Sequence, residues 1–190
     1  MSTATVPVLA DLLPKSRLKD AALVIGGAAL AAAASQIAIP LWFTPVPLSL
    51  ATFAVLLVGT SLGPARAALS LGLFALAGVL GAPVFAGFSS GWQGASFGYV
   101  LGYIAAALAV GALARRRGDR TIWSAAGTAI AGSALVYAFG VPWLMAATGL
   151  GFGEALALGV LPFLAGDAIK AAAASALLPA ARKAVGHFGE

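Results

Sequence analysis

Asp167 and Lys170 stand three residues apart inside the apolar stretch 155–178. In hydrocarbon each such charge costs roughly 2.5–3.5 kcal/mol on insertion scales, so these groups are normally paired, turned inward and functional. At i and i+3 they share one helix face and can reach a single ligand together. The carboxylate accepts hydrogen bonds and the ammonium donates them. A ligand offering N–H beside C=O, such as a cyclic urea or amide, would satisfy both. A ligand carboxylate would instead meet Lys170. The pair also suits a purely structural role, because breaking any buried ion pair is costly.

A second group surrounds the uncharged, Gly-rich stretch 81–94: Phe85, Phe88, Trp92 and Gln93, with Tyr99 and Tyr103 just beyond. Aromatic residues form belts at membrane interfaces. They also wall small-molecule pockets, which are mostly apolar with few polar groups. Gln93 and Tyr99 read as pocket residues because each offers hydrogen bonds. Other chemistry is poorly supplied. There is no Cys, and the sole histidine, His187, lies near the C-terminus. No Ser/His/Asp or metal-ligand set can be assembled in the apolar runs, so the sequence reads as neither an enzyme nor a holder of metals or cofactors. Gly149, Gly151 and Gly153 follow no strand, and no phosphate-binding G-x-x-x-x-G-K-[ST] stretch occurs.

The elements that must position these residues are membrane spans. Of 190 residues, 61% are hydrophobic and 9% charged, against about 25% charged in soluble domains. Six apolar runs follow, at 21–39, 48–62, 67–81, 97–114, 122–141 and 155–178. They imply an all-α integral membrane protein of six transmembrane helices. The first run, with its basic lead, also has the outline of a signal peptide, but more membrane follows it. Pro40, Pro45 and Pro47 exclude helix between the first two runs. Pro162 falls in the opening turns of the sixth, and Val141-Pro142-Trp143 closes the fifth.

Lys and Arg divide sharply by loop. The N-terminus holds three, the 2–3 loop one, the 4–5 loop four and the C-tail two, while the other three loops hold none. Basic loops stay cytoplasmic. Both termini are therefore expected in the cytoplasm, and the +5 charge is a topology signal rather than a nucleic-acid footprint. The expected organisation is a cytoplasmic segment 1–20, a membrane domain 21–180 and a cytoplasmic tail 181–190. Lys170 lies twelve residues before Arg182, about 18 Å up the helix at ~1.5 Å per residue. That depth puts the pair in an outward-facing pocket beneath the three uncharged loops.

The run Phe43-Thr44-Pro45-Val46-Pro47 and the run Gly63-Pro64-Ala65-Arg66-Ala67-Ala68-Leu69-Ser70 resemble the BioY family. So do Gly81-Ala82-Pro83-Val84-Phe85-Ala86-Gly87, Gly98-Tyr99-Val100-Leu101-Gly102-Tyr103 and Pro162 through Ala171, in order and spacing over about 22–180. These are the biotin-binding S components of energy-coupling-factor (ECF) transporters. The resemblance implies a six-helix subunit of the bacterial cytoplasmic membrane that captures biotin from outside. It implies partners: a transmembrane coupling protein and two ATPases that drive release inward. It assigns the biotin head group to Asp167 and Lys170. The bicycle would be walled by Phe85, Tyr99 and Phe43, with Gln93 in the closing loop. The Ala-rich first helix, at Ala28, Ala29, Ala32 and Ala33, would dock on the coupling protein. Ala95-Ser96-Phe97 stands where family members often carry Pro-Thr before the Gly-Tyr, so a differently shaped lid is expected. The rival reading is a stand-alone ion-coupled carrier in which Asp167 titrates beside Lys170. Against it, no inverted repeat is evident.

Overall fold

The computed structural model describes residues 7–12, 16–117 and 119–187, with side chains to residue 178 apart from Leu12. Lys15, the 188–190 end of the tail and the side chains of Arg182, Lys183 and His187 lie outside the described residues. Seven α-helices follow in chain order among those described: α1 (Arg17–Gln36), α2 (Ala51–Leu62), α3 (Pro64–Val79), α4 (Phe97–Ala114), α5 (Ile122–Thr148), α6 (Phe152–Gly159) and α7 (Leu161–His187). Four helical segments are long and apolar enough to cross a membrane: α1, α4, α5 and Leu161–Leu178 of α7. The apolar α2 and α3 are shorter.

The expected sixth span is two helices, and Pro162 is the reason. Proline has no N–H for the carbonyl four residues back, so a helix through Pro162 would orphan Leu158 O. The chain breaks at Val160 (φ −128°, ψ −59°), and the Phe163 amide bonds Val160 O instead. The freed carbonyls find distant donors. Thr44 Oγ1 donates to Leu158 O at 2.8 Å, and the Tyr99 hydroxyl to Gly159 O at 2.9 Å. In hydrocarbon, where unpaired carbonyls are costly, a break is tolerated only with such partners. At eight residues, α6 is about 12 Å long, too short to span.

The expected end of α5 also moves. Its helix runs through Pro142 to Thr148 and stops at Gly149, whose φ of 74° is the left-handed cap that glycine adopts freely. A single proline removes one helix bond; the glycine reverses the chain. Between α1 and α2 the structure adds what an all-helical reading omits. An antiparallel pair, β1 (Ala38–Ile39) with β2 (Leu48–Ser49), sets Ala38 opposite Ser49 and Ile39 opposite Leu48. It pinches the proline-rich loop closed at its base.

Helix α4 is the axis, with 56% of its apolar window buried inside the protein against 22–33% in the other three long helices. It packs on α5, α2 and α3. Glycines set the spacing. A Cβ on Gly102 would lie 2.8 Å from Val136 Cα of α5, and one on Gly111 would lie 2.6 Å from Pro64 N. Gly27 likewise seats α1 on Ser70 of α3.

The basic segments meet at one end of this bundle. Arg66 at the start of α3 bonds Asp11 (2.8 Å) and pairs with Asp20 of α1 (3.0 Å), and Arg115 at the end of α4 reaches Asp11 (3.4 Å). Burial alone would raise the Asp11 carboxyl. The Arg66 hydrogen bond, the Val8 amide and the charges of Arg115 and Arg66 outweigh it and hold the carboxyl below its ordinary value. A depressed carboxylate contributes stability above its unfolded pKa and loses it as pH falls through the folded one. Attachment of the 8–12 segment should therefore persist at neutral pH and fail below the usual carboxylate range. Hydrogen exchange of the Val8 and Asp11 amides, corrected for intrinsic rate, should report this acid loosening. Asp11→Asn should remove the acid dependence.

Candidate functional site

At the opposite end the loops 37–50 and 80–96 and the α6–α7 break gather over a cavity. Its empty volume is about 840 Å³, mouth included. Helix α7 supplies the floor. Lys170, 8% exposed, donates to Asp167 Oδ1 at 3.1 Å and to Thr52 Oγ1 of α2 at 2.8 Å. The Tyr137 hydroxyl of α5 donates to Asp167 Oδ2 at 2.5 Å. The i, i+3 pairing read from sequence is thus formed, and both residues line the cavity. Each carboxylate oxygen keeps a lone pair, and Lys170 keeps one N–H beyond these two bonds. A carboxylate and an ammonium among aromatic walls can hold a small polar ring that offers both donors and acceptors.

The walls are Phe85, Phe97, Tyr99, Tyr103, Phe74 and Phe163, together with small residues. Phe85 is buried, its ring 5.2 Å from that of Phe74 and 6.1 Å from that of Phe97. Tyr99 lines the cavity with its ring, but its hydroxyl is committed to Gly159 O. It is a wall and a clamp on the helix break rather than a free hydrogen-bonding group. Tyr103 reaches Ser49 of β2.

Two sequence-read residues do not reach the cavity. Gln93 is exposed and absent from its lining. Phe43 is 41% exposed and packs edge-on against Trp42, at 5.4 Å between ring centres. The amide that holds the 80–96 loop is Gln36, at the end of α1. Its Nε2 donates to Val84 O (3.0 Å) and Phe85 O (3.1 Å), and its Oε1 accepts from the Phe88 amide (3.0 Å). Gln36→Ala removes these bonds, each worth about 0.5–1.5 kcal/mol net. Amide exchange at 84–88 should then accelerate about tenfold or more, as hydrogen-exchange mass spectrometry would read.

The alanine face of α1 divides. Ala28 is buried and Ala32 packs against the core; Ala29 and Ala33 stand exposed. Thr52, Tyr137 and Gln36 were missed because an isolated Thr, Tyr or Gln near a span carries no spacing signal. Tyr137, the one tyrosine of the apolar run 122–141, was the best clue. Among the described residues no three His, Cys, Asp or Glu side chains converge as metal ligands would.

Residues 5–187 match the model of the BioY family. The chain belongs to the BioY family. It is 38% identical to a probable biotin transporter BioY of Pyrococcus horikoshii over 83% of this chain and 93% of that protein. It is 34% identical to the biotin transporter BioY of Thermotoga maritima over 75% of this chain and 83% of that one. The fold matches a crystal structure of the S-component for biotin from an ECF-type ABC transporter. The TM-score is 0.78 over 90% of this chain and 95% of the other, at 23% identity. With its transporter relatives and four membrane-span helices, this BioY chain is a multi-pass membrane protein.

Proposed function

We propose that this BioY chain captures biotin in the α7 cavity, as the S component of an ECF transporter. The observation that carries the reading is the floor, where one carboxylate and one ammonium stand side by side among aromatic rings. The ureido N–H groups of biotin would donate to Asp167, and the ureido oxygen would accept from Lys170. Phe85 and Tyr99 would wall the bicycle, and the 80–96 loop would close over it.

The remaining assignments follow from that reading. α1 to α5, together with the α6–α7 pair, form six spans in a bacterial cytoplasmic membrane. The Arg66–Arg115 end faces the cytoplasm and the cavity faces out. The membrane domain is 21–180, between cytoplasmic segments 1–20 and 181–190. A coupling protein docks on the open face of α1 at Ala29 and Ala33, and two ATPases drive release inward.

Native mass spectrometry of the full chain purified from biotin-fed cells should show bound biotin, and a preparation that never retains it would sink the proposal. Reconstituted alone in liposomes, the chain should not accumulate biotin under an ion gradient. Gradient-driven accumulation would favour a stand-alone carrier instead.

A further inference from the structure

The cavity changes character along its depth. Among the described lining residues its one cation is Lys170, at the floor and engaged with Asp167 and Thr52. The lining residues that reach solvent, Ser89, Ser90 and Gly94, belong to the 80–96 loop and carry no charge. Ser96, half-buried, lines the cavity beside them. Ser89 spends its hydroxyl on Ala86 O at 2.9 Å. Ser96 makes no helix-capping bond, and neither it nor Ser90 has a side-chain hydrogen-bond partner among the described residues. Two unspent hydroxyls thus border an uncharged mouth.

This bears on the tail of the ligand and rests on the proposed function. With the ureido ring at the floor, the carboxylate tail of biotin ends at the mouth. An ionised carboxylate there keeps part of its water, so it needs no counter-cation to offset desolvation. A serine hydroxyl can donate to an ester or amide carbonyl as well as to a carboxylate oxygen, the bond to the charged oxygen being the stronger. We propose that the mouth receives the tail through the Ser90 and Ser96 hydroxyls alone. The site therefore recognises the bicyclic ring and takes neutral tail esters and amides of biotin as ligands alongside biotin. A ligand bound the other way round, with its carboxylate on Lys170, would lose its principal contact on esterification.

The test uses the detergent-purified full chain and calorimetric titration with biotin, biotin methyl ester and biotin amide. Both neutral ligands are expected within tenfold of biotin. Biotin affinity should change by less than threefold between low and high salt, since no exposed ion pair is screened. Ser90→Ala with Ser96→Ala should weaken all three ligands by about threefold or more, biotin the most. Biotin binding with a loss beyond tenfold for the esterified or amidated tail would overturn the inference and leave the proposed function standing. So would a serine double variant that binds all three ligands unchanged. Failure to bind biotin at all would overturn the proposed function, and this inference with it.

Discussion

Lys170→Met should weaken biotin binding by at least a hundredfold. Hydrogen bonds to charged groups contribute roughly 1.5–3 kcal/mol each, and the variant loses the ligand's bond to the ammonium. It also leaves Asp167 among aromatic walls with only the Tyr137 hydroxyl from the protein. Removing one partner of a buried pair typically costs about 3–5 kcal/mol of stability, so lost binding by that variant alone could reflect misfolding. Asp167→Asn with Lys170→Met separates the effects. Its side chains keep roughly the native volumes without charge, and an uncharged replacement of a buried pair is often neutral or stabilising. The double variant is expected to purify and melt like the native chain while retaining no biotin. Native-like biotin affinity in it would mean that the pair only holds helices in register.

That pair was legible because an apolar run cannot solvate two charges, whatever surrounds it. The same physics made the cationic end legible, since Arg66 and Arg115 stand at the ends of apolar helices and meet there through Asp11. The boundaries of α4 were legible because loop chemistry brackets it on both sides. What failed depended on partners far along the chain. The break at Val160 is tolerated because Thr44, 114 residues away, takes the Leu158 carbonyl, and a proline alone does not reveal whether such a partner exists. Phe43 and Phe85 have the same chemistry, yet Phe85 packs against Phe74 and Phe97 while Phe43 stands half-open beside Trp42. Gln93 belongs to the same loop but stays outside the cavity lining, and the loop is held by Gln36. The alanines of α1 repeat on two faces, and only the position of α3 decides that Ala28 turns in and Ala29 out.

Gly102→Val should be among the most damaging single changes outside the floor. Its Cβ would lie 2.8 Å from both Cα and O of Val136. These are backbone atoms of a packed helix that cannot swing aside as a side-chain tip can. Overpacking usually costs about 1–3 kcal/mol, and a rigid backbone neighbour puts this site at the upper end. The detergent-solubilised variant should melt roughly 5 °C or more below the native chain. Gly127, in α5, is the control. Nothing lies within 4 Å of a Cβ there, and alanine in place of a mid-helix glycine gains about 0.5–1 kcal/mol. The Gly102 effect should also extend to the site. Helix α4 carries Tyr99 and Tyr103, whereas α5 carries Tyr137, the donor to Asp167. Pushing the helices apart stretches the Tyr137 bond and opens the wall at Tyr99, so biotin affinity should fall together with melting temperature. A Gly102→Val chain that melts normally would mean that α4 and α5 do not approach this closely.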